Sequence, residues 1–98
     1  MIQPTRAYRF AVNVTPKPGI LDPQGKAVER SLPHLGISGV SEVRVGRRVE
    51  LAVEAPDASA ARAVVDRLAR ELLSNPLMEQ YEVETLDAAA AVASGAAG

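Results

Sequence analysis

The residue types that carry chemistry are scarce in this chain. Its one histidine is His34, and it has no cysteine. A histidine base needs a nucleophile or an orienting acid close by, and nothing in the sequence points to one beside His34. Without thiols, disulfides, thiolate metal centres and cysteine nucleophiles are excluded. One histidine among scattered carboxylates is not a metal set, since a structural or catalytic metal needs several ligands. The inventory therefore predicts no catalytic residue and no metal ligand. His34 reads as a solvated residue at a helix end, where a cation is favourable to the terminal dipole.

Binding motifs are equally thin. There is no GxxxxGK[ST] and no GxGxxG to cradle a phosphate. Gly36-Ile37-Ser38-Gly39 has the spacing of a nucleotide-backbone clamp but not its basic surroundings, and reads as a turn. Net charge is -1, which gives no general attraction to nucleic acid or an anionic membrane. Lys17 is the one lysine in a proline-flanked loop. Gly25 falls three residues into a predicted helix, where glycine costs about 1 kcal/mol against alanine. That cost implies a close approach at Gly25, such as backbone from a partner. Asp22 reads as a helix cap, Asn75-Pro76 as a helix stop and Glu79 as a charge at a strand start.

The elements that must position these residues follow from periodicity. Tyr8, Phe10, Val12 and Val14 alternate with Arg9, Ala11 and Asn13, the pattern of a half-buried strand. Proline then breaks it at Pro16 and Pro18. Asp22-Pro23 opens a helix, with Asp22 at the cap and Pro23 at the first position. Val28, Leu32 and Leu35 give it an apolar stripe. Pro33 predicts a bend or early end, and Gly36 a close. Val43, Val45, Val49, Leu51 and Val53 read as a β-hairpin. An odd loop of Gly46-Arg47-Arg48 keeps its faces consistent by opposing Val45 to Val49 and Arg44 to Glu50. Pro56-Asp57 starts a second helix with Ala61, Val64, Val65, Leu68 and Leu72 as its stripe, and Ser74-Asn75-Pro76 stops it. Tyr81, Val83 and Thr85 alternate in a last strand.

The order is β-α-β-β-α-β. It predicts a ferredoxin-like α+β two-layer sandwich, with an antiparallel sheet and both helices on one face. The first and last strands are expected to be neighbours, bringing Arg9 near Glu82 or Glu84. RNA-recognition domains share this order, but Val49-Glu50-Leu51-Ala52-Val53 lacks their aromatic and basic residues. The 98 residues suit one small domain, whose modest core self-association would relieve. That domain is expected over 1–86, with 87–98 a flexible alanine- and glycine-rich tail. No stretch reaches the length of a membrane helix, and no signal peptide is expected. A cytoplasmic location fits the lack of cysteine.

Taken together, Pro16-Lys17-Pro18-Gly19-Ile20-Leu21-Asp22-Pro23-Gln24-Gly25, Leu35-Gly36, Val43-Arg44-Val45-Gly46-Arg47 and Leu72-Leu73-Ser74-Asn75-Pro76-Leu77-Met78-Glu79-Gln80-Tyr81 resemble the PurS family. These are the small subunits of phosphoribosylformylglycinamidine (FGAM) synthase. The resemblance covers residues 8 to about 84. Arg47 stands where lysine is common, and Pro33 interrupts the first helix. What it implies is a non-catalytic subunit in de novo purine biosynthesis. In such systems a PurQ-type glutaminase releases ammonia, and a PurL-type synthetase uses ATP and magnesium to convert formylglycinamide ribonucleotide to the amidine. The small subunit bridges the two, assists ammonia transfer, binds no cofactor itself and forms homodimers or tetramers, here expected through the sheet. The residues that the resemblance marks for partner contact are Lys17, Asp22, Gln24, Gly25, Arg44, Gly46, Arg47, Asn75, Pro76, Glu79 and Tyr81. Lys17 and Arg47 would steer acidic surfaces. The alternative is a free-standing regulatory domain of the ACT type, which shares the strand order and the Pro18-Gly19-Ile20-Leu21 turn. An independent enzyme on the same scaffold is disfavoured by the lone His34.

Overall fold

The computed structural model describes residues 4–86. The tail expected at 87–98 lies outside them. Strand β1 runs Arg6–Pro16, helix α1 Pro23–Ser31, strand β2 Arg47–Ala55, helix α2 Ala58–Leu68 and strand β3 Glu79–Leu86. The sheet is antiparallel in the order β2-β1-β3, so the expected pairing of the first and last strands is present.

Register follows the alternation in β1. Phe10 lies opposite Leu51, and Val12 lies between Val49 and Val83. These side chains share the face that α2 covers. Phe10, Val12 and Val14 are buried there with Ala55, Ala61, Val65 and Ala69. Ala61, Val65 and Ala69, spaced four apart along α2 and the turn that continues it, let it lie close on the sheet. The expected stripe was wider: Val64 and Leu72 are exposed instead. A π-helical turn over Ala69–Leu73 shifts the phase at the end of α2. Its close is marked by Ser74, whose hydroxyl donates to the Ala69 carbonyl at 2.6 Å.

The α+β class, with its antiparallel sheet and two helices, stands, but three details differ from expectation. The hairpin over 43–53 does not form: three strands are present among the described residues, and 40–46 carries no strand pairing, with Glu42 in it at φ 56°. Side chains of α1 and its cap take the backbone donors a strand would have used. Val43 N–H donates to Glu29 at 2.9 Å and Val45 N–H to Asp22 at 2.7 Å. Arg47 and Arg48 consequently begin β2 rather than turning a loop.

Secondly, α1 contributes no side chain to the core cluster. Its bounds are as expected. Asp22 caps it by accepting from Gly25 N–H at 2.9 Å, and a 3₁₀ turn carrying Pro33 runs into Gly36, at φ 70°. Val28 and Leu35 are nonetheless exposed. Thirdly, Arg9 does not serve Glu84. In register Arg9 faces Leu86 while Glu84 faces Ala11. Arg48, reaching from β2 across β1, binds Glu84 at 3.0 Å and Glu50 at 2.9 Å. Ala11, between those two glutamates in register, is fully buried.

Candidate partner-contact site

Most of the residues marked for contact converge at one end of the sheet, where β1 leaves for α1 and α2 returns to β3. The first loop is a four-residue turn. Pro18 supplies its fixed φ, Gly19 sits at φ 84°, and Ile20 N–H donates back to the Lys17 carbonyl at 3.1 Å. Proline followed by a positive-φ glycine is the sequence that a type II turn requires. Arg44 caps this turn from the strap 40–46. Its guanidinium donates to the carbonyls of Pro16 at 3.0 Å, Lys17 at 2.8 Å and Ile20 at 3.3 Å. The forked donors of arginine suit such a gathering of acceptors.

The second loop is held by its own amides. Asn75 accepts from Leu77 N–H through its side chain, and from Met78 N–H and Glu79 N–H through its carbonyl. Glu79 accepts from Asn75 N–H at 2.8 Å and from both Arg47 terminal nitrogens at 2.8 and 2.9 Å. Arg47 also donates to the Leu73 carbonyl. The bidentate Arg47 pairing is the largest influence on the Glu79 carboxyl; with the Asn75 amide it holds the pKa down to about 2. The same pairing raises the pKa of Arg47.

The two loops meet directly. Lys17 N–H donates to the Met78 carbonyl at 2.9 Å. Between them lies a cleft of about 690 Å³, with Ile20, Leu21 and Gln24 on one side, Met78 and Glu79 on the other, and Gly46 among its lining residues. Leu21 and Leu77 are 72% and 81% exposed.

Several of these residues hold the molecule's own structure. Asp22 is only 6% exposed and ties α1 to the strap. Its carboxyl is held below the usual range first by the Gly25 amide and then by the Val45 amide. The Val43 amide does the same for Glu29. The backbone that approaches Gly25 is this chain's own: a Cβ there would stand 2.2 Å from the Val43 carbonyl oxygen. Gly46 is confined in the same way by the Val14 carbonyl. Tyr81 lies beside Val14 and packs on the core, away from the loop tips. Asn75 and Pro76 are exposed. His34 is exposed too, and no group of three or more potential metal ligands occurs among the described residues.

Leu21, Leu77 and Met78 were not singled out from their types, because isolated apolar residues in proline-containing loops have no period to read. The Glu29–Val43 tie was equally hidden, since fourteen positions separate its partners.

A family model described as PurS, phosphoribosylformylglycinamidine (FGAM) synthase, matches residues 9–87. The PurS subunit of the synthase from Synechocystis is 40% identical over 87% of both chains. That from Thermotoga maritima is 35% identical over 81% of this chain and 96% of its own. The Thermotoga maritima PurS crystal structure superposes with a TM-score of 0.77 at 33% identity, covering 86% of this chain and 97% of the other. A chain of the Thermotoga maritima PurLQS structure gives 0.76 at 34% identity, covering 83% and 99%. The chain therefore belongs to the PurS family, the small subunits of FGAM synthase.

Proposed function

We propose that this chain bridges the glutaminase and synthetase subunits of an ATP-dependent amidotransferase complex, and that it contributes contact surface rather than chemistry. The observation that carries this reading is the loop end just described. Two loops are fixed by arginine clamps, yet they leave Leu21, Leu77 and Met78 uncovered. Ordering a loop is entropically costly, and exposing large apolar side chains on an ordered loop suits an interface. ATP and magnesium belong to the synthetase partner in this reading, and the complex works in the cytoplasm. Ammonia that escapes into water is protonated and diluted. A rigid adaptor that seals the junction between two active sites raises flux without touching a bond.

Self-association belongs to the same reading. Val28, Leu35, Ile37 and Val40, along α1 and the segment after it, are exposed apolar residues, and a second copy seated there, rather than on the sheet as expected from the sequence, would cover them. Sedimentation velocity across a concentration series tests this: a dimer or tetramer is expected, and a monomer at all concentrations would refute it. The bridging role is tested by co-purification with separate synthetase and glutaminase subunits, in the presence of glutamine and Mg-ATP. Recovery of all three together only when this chain is added supports it. Calorimetry with a panel of amino acids tests the ACT-type alternative, which needs tight stoichiometric binding of one of them.

A further inference from the structure

We propose that the strap 40–46 is a two-state element: two carboxylates from α1 and its cap latch it, and its release frees the turn at Lys17–Ile20 while the sheet stays folded. The starting observation is Glu42, which sits in the strap at φ 56°. Glutamate seldom adopts this left-handed conformation, because its Cβ crowds the following carbonyl. Such strain persists only where the surroundings impose it. Here the bonds that follow Glu42 impose it. Val43 N–H donates to Glu29 at 2.9 Å, and Val45 N–H donates to Asp22 at 2.7 Å. Both acceptors are ionised, which places these bonds in the stronger class.

Little else holds the strap. No side chain of 40–46 belongs to the core cluster, so hydrophobic burial does not fix it. Its upstream end is free to turn: Gly36 and Gly39 lie at φ 70° and 83°, with open space where a Cβ would stand. Its downstream end is pinned, since a Cβ on Gly46 would stand 2.2 Å from the Val14 carbonyl oxygen, and Arg47 and Arg48 already pair with β1. Motion is therefore confined to the segment between. Arg44 travels with it and takes its guanidinium away from the carbonyls of Pro16, Lys17 and Ile20. In the latched state Glu42 is strained and the turn is capped. In the released state Glu42 relaxes to extended backbone and the turn loses its cap. Glu29 thus governs the Lys17–Ile20 turn without touching it, through an element with two arrangements.

The test measures residue-resolved hydrogen-exchange protection by NMR in the full chain. Glu29→Ala removes one carboxylate and keeps α1, because alanine is the better helix former; the Lys26 pair lost with it is exposed and weak. The amides of Val43, Val45 and Ile20 are expected to lose at least ~10-fold protection by a common factor, with Val12 in β1 unchanged. Glu42→Gly removes the strain and is expected to raise protection of the same three amides at least ~3-fold. Loss confined to Val43 overturns the strap as a single unit. An equal loss at Val12 overturns separate release, because opening then requires the whole domain to unfold. Parent-like protection in Glu29→Ala overturns the latch, and unchanged or lower protection in Glu42→Gly overturns the strained state.

Discussion

Replacing Gly25 by alanine sets two physical effects against each other, and the sign of the result decides between them. Helix propensity alone predicts stabilisation by about 1 kcal/mol, because Gly25 lies inside α1. The local geometry predicts the opposite. A Cβ at position 25 would stand 2.2 Å from the Val43 carbonyl oxygen and 2.7 Å from an Asp22 carboxylate oxygen. Neither neighbour is free to yield. Val43 is held through its N–H to Glu29, and Asp22 is the cap of the same helix and the anchor of Val45. Relief requires the strap backbone to retreat by about 1 Å, the kind of overpacking that costs roughly 1–3 kcal/mol or more. Backbone cannot rotate aside as a side chain does, so the upper part of that range applies. The net expectation is destabilisation by about 1–2 kcal/mol, which lowers Tm by roughly 5–15 °C in a domain of this size. Thermal melts followed by circular dichroism at 222 nm measure it directly. A Tm equal to or above that of the parent would refute the argument and leave propensity as the governing effect.

Further outcomes follow from the same contacts. The Glu79 carboxyl has its pKa lowered from 4.5 to about 2 in the folded chain, so its contribution to stability is full above pH 4.5 and is lost as pH falls toward 2; Glu79→Gln is expected to lower Tm at pH 6 and to lose most of that difference at pH 2.5. Arg44→Ala is expected to raise the hydrogen-exchange rate of the Ile20 amide at least ~10-fold through local opening, with Arg44→Lys intermediate because an ammonium lacks the fork; unchanged exchange would show that the turn holds itself. Val65 is fully buried between α2 and the sheet, so Val65→Ala should cost about 2 kcal/mol from lost burial and the cavity left behind, read as a shift in the urea midpoint.

The sequence alone made some features legible for clear physical reasons. Alternation in β1 and β3 is a period-2 signal that only a strand satisfies, and their pairing followed from short connections. Asp22-Pro23 and Asn75-Pro76 mark helix ends through local chemistry, and both ends are where they were expected. The segment 40–46 misled because Val43 and Val45 alternate as a strand does. What a sequence pattern does not display is competition for the backbone donors, and Glu29 and Asp22 take them. Gly25 was rightly read as a close approach but wrongly attributed to a partner, because the approaching carbonyl belongs to a residue eighteen positions away. Val28 and Leu35 have a helical period, which shows that a face is apolar and not what covers it. Arg47 and Glu79 were each marked for contact, and their mutual pairing became visible only when β2 and β3 were set on either side of β1.

In the proposed complex this chain supplies the junction between two active sites. Amidine formation by the purified synthetase and glutaminase, measured with glutamine and then with ammonium chloride as nitrogen source, with and without this chain, tests that most directly. Omitting the chain is expected to abolish glutamine-dependent synthesis and to spare ammonium-dependent synthesis. Full glutamine-dependent rate in its absence would contradict it.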